Sequence, residues 1–201
     1  AATPDGDILF QADDGSGGLE TYFYLDGSAS SGNPITRFPD DSRLTFGNSG
    51  DLKIYHNGTD SYISNNTGSL IIGAFGDDKD IIFKSDDGSG GTEVYFRLDG
   101  SLSSGNPFTV FPDNARLALG TSADMTVFHN GTDNYIIGST GDMYVRQNAN
   151  DKDIIFECDD GSGGTETYFR LDGSASSGNP ITNFPDNSFL SFGSSHDFSI
   201  Y

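Results

Sequence analysis

The sequence predicts an all-β protein built from stacked copies of one short-strand unit, an extended repeat fibre of β-solenoid or β-prism type. Three observations support this prediction. The phrase DDGSGG begins at Asp13, at Asp86 and at Asp159, so it recurs every 73 residues without slippage. Glycine clusters separate short stretches of alternating apolar and polar residues, which is the spacing of strands and turns. No stretch carries the apolar period and caps of an α-helix, so very little helix is expected.

The repeat covers the whole chain and divides it into four parts. The short phrases FPD, HNGTD and KDIIF recur in the same order in both full copies, which is the signature of a repeat architecture. The parts are residues 1–12, the end of a preceding copy; residues 13–85, the first full copy; residues 86–158, the second; and residues 159–201, a partial third copy.

The third copy stops within a phrase. Tyr201 aligns with Tyr55 and Phe128, and each of those is followed by His-Asn-Gly. We therefore expect that the chain is an excerpt of a longer repeat array, or that neighbouring chains complete the pattern. The first residues, AATPDGDILF, lack the basic start and apolar middle of a signal peptide.

Period-two alternation identifies the strands. In TEVYFRL, residues 92–98, Val94, Phe96 and Leu98 alternate with other positions and give the strand one apolar face. The phrase DIIF predicts another strand in each copy. The apolar positions of a third strand are Leu52 and Ile54, Met125 and Val127, and Phe198 and Ile200.

The connections are rich in turn-forming residues. DGSGG supplies glycines that can adopt positive φ, so a tight reversal is expected, with Asp14 or Asp87 accepting hydrogen bonds from the turn backbone. HNGTD contains Asn-Gly, a strong hairpin signal. SSGNP predicts an extended excursion, because the residue before proline avoids helical geometry. The proline of FPD cannot donate to a sheet and interrupts the ladder.

Composition and charge exclude several functions. The net charge of −20, from 30 acidic and 10 basic residues, repels phosphate backbones and anionic membrane surfaces. We therefore expect neither nucleic-acid binding nor membrane insertion, and no apolar run is long enough to span a bilayer. The 16 Phe and 9 Tyr supply enough apolar surface for a folded core.

Acidic side chains recur around the glycine-rich turns and are the metal candidates of this sequence. Calcium takes six to eight oxygen ligands, yet the spacing of an EF-hand and the glycine-rich nonapeptide calcium repeat are both absent. Turn formation with solvated charge is the alternative interpretation, so no cofactor is expected beyond a calcium ion at these positions. The candidate ligands are Asp13, Asp14, Glu20, Asp86, Asp87, Glu93, Asp159, Asp160 and Glu166.

Histidine and cysteine form no catalytic pattern. His56 and His129 are equivalent, whereas His196 falls at another phase of the repeat. Copies of His56 meeting on a threefold axis could bind a metal or an anion, and packing at a strand end is the alternative. Cys158 is the only cysteine, and the repeat places Ser and Ala at its equivalents, so it is not a nucleophile. No nucleophile and base converge, so we expect no enzyme.

The phrases DLKIYHNGTDSYI, DDGSGGTEVYFRLDGS and FPDNARLALG resemble repeat segments in virion structural proteins of marine tailed bacteriophages, which are described as tail fibres. The resemblance covers nearly the whole chain. It implies an extended, β-rich homotrimer located in the virion or outside the cell, acting as a shaft that supports host attachment. A host receptor would then be contacted through a part that is not in this chain, and no site residues are carried over from the family.

The residues give their own reason to expect a homotrimer. One 73-residue copy has short strands and little surface to bury, so alone it is marginal and its strand edges invite aggregation. Closed cyclic assembly resolves both problems, with the acidic turns outward and apolar residues at the axis. The candidates for that centre are Phe23, Phe96 and Phe169, with Ile54, Val127 and Ile200.

Two other classes of function remain open on the sequence. An extracellular adhesin or carbohydrate-binding repeat module would use Tyr22, Tyr95 and Tyr168 as binding platforms, and these tyrosines are invariant among the copies. A hydrolytic spike depolymerase would need a converging acidic cleft unique to one copy, and the sequence shows none.

Overall fold

The computed structural model describes residues 4–29, 32–102, 105–175 and 178–200 of the chain. These residues form seventeen short strands and contain no helix, which confirms the all-β prediction. Tyr201 and the two serines of each SSGNP phrase lie outside the described residues.

Sheets of two types alternate along the chain. We call the first type the aromatic sheets, because each carries a row of phenylalanines, and each is a three-stranded meander. Their strands are β1 (Ile8–Ala12), β2 (Glu20–Asp26) and β3 (Ile35–Arg37); β7 (Ile81–Ser85), β8 (Glu93–Asp99) and β9 (Phe108–Val110); and β13 (Ile154–Cys158), β14 (Glu166–Asp172) and β15 (Ile181–Asn183).

The second type we call the aliphatic sheets, after the leucines and isoleucines on one face. Two are three-stranded meanders, and the third has two described strands. Their strands are β4 (Leu44–Phe46), β5 (Leu52–His56) and β6 (Ser61–Asn65); β10 (Leu117–Leu119), β11 (Met125–His129) and β12 (Asn134–Gly138); and β16 (Leu190–Phe192) and β17 (Phe198–Ile200).

The glycine-rich phrases lie where the sequence predicts turns. DDGSGG joins the first two antiparallel strands of each aromatic sheet, so a copy boundary drawn at Asp13 falls inside a hairpin. HNGTD joins β5 to β6 and β11 to β12. In the first of these hairpins, Gly58 and Thr59 are the central residues, because Asn57 N–H donates to the Asp60 carbonyl. The Asn57 side chain accepts from the N–H groups of Thr59 and Asp60 and stabilises the turn.

A β-bulge at Tyr22 interrupts the first aromatic sheet. Phe10 pairs with Phe23 and Gln11 pairs with Thr21, so Tyr22 has no residue opposite it. The third copy has the same irregularity at the equivalent tyrosine. The sequence alternation did not predict this bulge.

Carboxylates close the open end of each aromatic hairpin. Asp7 Oδ1 accepts from Gly27 N–H at 3.0 Å, and Asp80 Oδ1 accepts from Gly100 N–H at 2.9 Å. The glycine is required, because a Cβ on Gly100 would lie 2.5 Å from the Lys79 carbonyl oxygen. The backbone just before the first strand of the hairpin is thereby held in contact with the backbone just after the second strand.

An ion pair lies on the polar face of each aromatic sheet, and its arginine changes strand between copies. In the first copy Arg37 of β3 contacts Asp26 at 3.1 Å, whereas in the second Arg97 of β8 contacts Asp99 at 2.8 Å. The third copy follows the second with Arg170 of β14. The nearly buried aspartate is therefore paired with an arginine in every copy, either from the neighbouring strand or from its own strand.

By contacts the chain divides into two compact units, Ala1–Ile81 with Gly100–Ser104 and Ile82–Asp99 with Gly105–Tyr201. Within the first unit, the FPDDS turn packs on the HNGTD hairpin, since Asp41 N–H donates to the His56 carbonyl at 2.8 Å. Within the second, Asn114 N–H makes the same 2.8 Å bond to the His129 carbonyl. Asp41 and Asn114 both have positive φ, which Asp and Asn tolerate better than most residues.

Candidate functional site

The aromatic sheets present stacked phenylalanines on one face. Phe23 lies between Phe10 and Phe38, with ring centroids 4.4 and 5.7 Å apart. The second copy repeats the stack around Phe96, with Phe83 at 4.4 Å and Phe111 at 5.8 Å. The third copy does so with Phe156, Phe169 and Phe184. Each central ring is half-buried by its neighbours, and the outer rings are 39 to 45% exposed.

The aliphatic sheets also have one apolar face and one polar face. Leu44, Ile54 and Ile63 are paired across the three strands and therefore share a face. On the opposite face Tyr55 stacks on Tyr62, and the Arg43 guanidinium lies 4.8 Å from the Tyr55 ring centre. The apolar face is uncovered: Ile54, Val127 and Ile200 are 42, 38 and 55% exposed.

These faces leave the chain without a hydrophobic core. Among the described residues no hydrophobic side chain is buried, and Thr126 is the one buried residue. The sequence predicts enough apolar surface for a folded core, and within the described residues the single chain does not form that core by itself. Each sheet is a single layer, and no second layer of the described chain covers its apolar face.

The exposed area gives a measure of what is uncovered. The chain, of 21.4 kDa, exposes 15840 Å². Surface-to-mass scaling gives roughly 9,100 Å² for one globule of this mass and roughly 11,000 Å² for two separate globules of about half the mass. Even against the second figure the excess is roughly 4,800 Å² for one chain, which is large enough for an obligate interface, since such interfaces bury about 2,000–5,000 Å² or more in total over both partners.

The residues predicted for the centre of an assembly all lie on these faces. Phe23, Phe96 and Phe169 are the middle rings of the three aromatic stacks. Ile54, Val127 and Ile200 lie on the aliphatic sheets. All six predicted residues therefore lie on apolar sheet faces that the described chain leaves uncovered. That they meet on a symmetry axis stays a prediction.

A further apolar surface, which the sequence patterns did not predict, follows the aliphatic sheets along the chain. Leu70, Ile71 and Ile72 follow β6 and are 46, 82 and 59% exposed, and nearby Phe75 is 93% exposed. In the second copy, Met143, Tyr144 and Val145 are 56, 74 and 69% exposed. The available signal was three consecutive large apolar residues at the same phase of both full copies.

The acidic turns use their carboxylates internally. Asp13 Oδ1 accepts from Gly15 N–H at 2.7 Å, and Asp14 Oδ1 accepts from the N–H and hydroxyl of Ser16. The hydrogen bond from the Ser16 hydroxyl, followed by that from its N–H, lowers the pKa of Asp14 below its usual value. The equivalent serines lower the pKa of Asp87 and Asp160 in the same way.

These hydrogen bonds favour turn formation as the role of the carboxylates. Glu20, Glu93 and Glu166 begin strands β2, β8 and β14. Within the described residues, no three His, Cys, Asp or Glu side chains come together as a metal site. Calcium binding at Asp13, Asp14 and Glu20, and at their equivalents in the other copies, stays a prediction.

We expect at most a modest effect of calcium on stability, because each turn carboxylate already accepts backbone hydrogen bonds. The measurement is the thermal unfolding midpoint in the presence of a chelator and after calcium is restored. A large fall with chelator that calcium reverses would show that the turns bind the ion.

The histidines are paired with polar side chains close in sequence. His56 Nδ1 lies 3.2 Å from Ser61 Oγ, and His129 Nδ1 lies 3.1 Å from Asn134 Oδ1, in both cases across a hairpin. His196 has φ of 56° in the β16–β17 turn, and its Nδ1 lies 2.7 Å from Ser191 Oγ. These contacts favour packing at strand ends, and a threefold histidine site stays a prediction.

Cys158 is exposed at the end of β13, opposite Glu166. Ala12 occupies the same register opposite Glu20 in the first copy. We therefore expect Cys158→Ser to leave both the assembly state and the unfolding midpoint nearly unchanged, as measured by light scattering and thermal unfolding. Dissociation of the variant at concentrations where the parent chain is assembled would contradict this.

The invariant tyrosines have a structural role. The hydroxyl groups of Tyr22, Tyr95 and Tyr168 donate to the carbonyls of Asp13, Asp86 and Asp159 at 3.3, 2.8 and 3.1 Å. Each tyrosine thus fastens the DDGSGG loop to its own sheet. Their rings remain 45 to 46% exposed.

An open cleft of about 850 Å³ lies beside Tyr22 in the first unit. Tyr24, Arg43 and the acidic residues Asp14 and Glu20 also line it. Aromatic rings beside carboxylates and a guanidinium can contact the ring faces and hydroxyl groups of a sugar.

Comparison with known proteins identifies no relative: no family model, no curated protein and no solved structure matches this chain. No helix long and apolar enough to cross a membrane occurs in the described residues.

Proposed function

We propose that this chain is the structural shaft of an extended fibre, a phage tail fibre that works as a homotrimer and supports host attachment. One observation carries the proposal: repeated single-layer sheets whose apolar faces the chain itself leaves uncovered. A protein that acts alone as a globule would cover these faces internally, whereas a repeat fibre covers them with further copies.

The recurrence of the same geometry supports a structural role as a shaft. The three phenylalanine stacks have closely similar centroid distances, and the hairpins that flank them have the same turns and hydrogen bonds. A binding or catalytic site needs one particular arrangement of groups, whereas a shaft needs the same arrangement many times. The acidic turns would lie outward, where their charge keeps neighbouring fibres apart.

Light scattering and electron microscopy test the proposal together. We expect a mass three times that of the 21.4 kDa chain, and filaments with a regular axial rise for every 73 residues. A mass twice that of the chain would show that the protein is a dimer and not a trimer. A folded monomer, or compact globules in the micrographs, would overturn the shaft.

A carbohydrate-binding repeat module is the second candidate, favoured by the cleft beside Tyr22. It predicts that a soluble oligosaccharide binds the intact chain and that Tyr24→Ala weakens this binding without changing the mass of the particle. Tyr24 is a better position for this substitution than Tyr22, because the Tyr22 hydroxyl also holds the DDGSGG loop. Absence of saturable binding across a panel of neutral and acidic glycans would remove this candidate.

A further inference from the structure

Residues 69–75 and 142–148, here called the linker strands, each contain three consecutive large apolar residues but are outside every sheet. They connect β6 to β7 and β12 to β13, and no turn, bend or positive φ occurs within them. Their centres, Leu-Ile-Ile and Met-Tyr-Val, are rich in residues that favour strands. Consecutive exposed apolar residues of this kind are not typical of a free surface loop.

The main chain of the linker strands is unpaired in the described part of the protein. No backbone hydrogen bond joins residues 69–75 or 142–148 to any other described residue. A segment without turns whose N–H and C=O groups are unused can add to the edge of a sheet. Such edges are present, since β1 and β6 each pair with one strand only among the described residues.

The first linker strand is apolar on both faces. In an extended segment Leu70 and Ile72 point to one side and Ile71 to the other. In the second linker strand Met143 and Val145 form an apolar face, and Tyr144 shares the other face with Asp142 and Arg146. A strand with water on one side would be polar on that side, so the pattern of residues 69–75 is typical of a strand covered on both faces.

We propose that the linker strands pair through their main chains with free sheet edges of a second copy of this chain. Three properties favour a second copy over an unrelated partner. The linker strands recur at the 73-residue period, and the free edges of a second copy recur at the same interval. Residues 69–75 carry no charge, and residues 142–148 balance Asp142 against Arg146, so the contact avoids repulsion between chains of net charge −20. The uncovered area of the chain is large enough for an obligate interface.

The inference rests on the self-association proposed above and adds the residues that exchange between chains. In the sheets the apolar faces would meet by side-chain packing alone. The linker strands would add directional hydrogen bonds, which fix the axial register of one copy against the next. A slip by one residue would move Ile71 to the face that Leu70 occupies, and every main-chain hydrogen bond of the segment would have to form with a different partner.

Hydrogen–deuterium exchange on the assembled protein is the first test. Alternate amides of residues 70–75 and 143–148, those that face the partner strand, are expected to exchange slowly, although the single chain offers them no partner among its described residues. Rapid exchange of these amides in particles shown to be multimeric by light scattering would overturn the inference and leave the fibre proposal intact.

Paired charge substitutions are the second test. We expect the double variant Ile71→Asp, Tyr144→Asp to dissociate at a concentration at least about tenfold higher than the parent chain does, because a buried unpaired carboxylate opposes association. The matched control is Leu19→Asp, Thr92→Asp, at equivalent exposed turn positions that hold different residues in the two copies. The control should assemble like the parent chain.

The outcomes separate the two proposals. A parent chain that is a folded monomer overturns both. If the parent chain assembles and both double variants dissociate at the same concentration as the parent, the linker-strand pairing alone is overturned. A third outcome also overturns the pairing: the amides are protected, but the Ile71→Asp, Tyr144→Asp variant assembles as strongly as the parent chain. Their protection would then come from contact with another segment.

Discussion

Replacing Phe23, Phe96 and Phe169 together by aspartate is expected to leave the chain monomeric. These rings are the centres of the three stacks, and each contacts a phenylalanine on either side. Burial of one phenylalanine contributes about 1.5–3 kcal/mol, and an unpaired carboxylate in its place adds a desolvation cost of several kcal/mol. Three such changes in every chain should abolish association, as measured by light scattering.

The matched control replaces the same three residues by leucine. Leucine keeps the apolar character and most of the volume, so the particle should retain its mass with a lower unfolding midpoint. Circular dichroism of the aspartate variant would show whether the strands persist in the single chain. An aspartate variant with the mass of the parent particle would exclude the aromatic stacks from the interface.

The second large effect is expected from Gly100→Ala. Its new methyl group would lie 2.5 Å from the carbonyl oxygen of Lys79, a backbone atom that cannot move without opening the hairpin. Overpacking of this kind costs about 1–3 kcal/mol per site. For a chain of this length we expect the unfolding midpoint to fall by about 2–4 °C for each kcal/mol.

Gly138→Ala is the control for this prediction. Gly138 ends strand β12, its φ is ordinary, and an added Cβ would meet Met143 Cβ at 3.9 Å, an ordinary contact. We expect its midpoint to be unchanged or slightly higher, because alanine restricts the unfolded chain more than glycine does. Equal midpoints for the two alanine variants would show that the Gly100 backbone can yield.

Local rules of the sequence predicted the strands and turns well. Alternation of Val94, Phe96 and Leu98 identified β8, and Asn-Gly identified the hairpin at Asn57. These features depend on a few neighbouring residues, so they can be inferred without knowing what each strand packs against. The assignment of acidic turn residues as hydrogen-bond acceptors has the same local origin.

What could not be predicted depends on partners distant in sequence. The bulge at Tyr22 arises from the register between two strands, which the residues of one strand do not fix. Alternation shows that a face is apolar but not whether the same chain covers it, so the absence of any buried hydrophobic side chain among the described residues does not follow from the alternation. The linker strands escaped notice because residues 70–72 have no alternation at all, as expected for a strand with two apolar faces.

The meander order of the strands has a consequence for how the protein reaches its working state. Each sheet pairs strands that follow one another in the chain, and Ile8 with Leu25 is among the most widely separated pairs. Chains dominated by such short-range contacts fold quickly, so a sheet can form soon after its residues leave the ribosome. Association of separate chains is slower and depends on their concentration. On the proposed self-association, the rate of assembly in a cell would therefore depend on how many nascent chains emerge close together, and exposed phenylalanines would be most prone to aggregate in the interval before the chains meet.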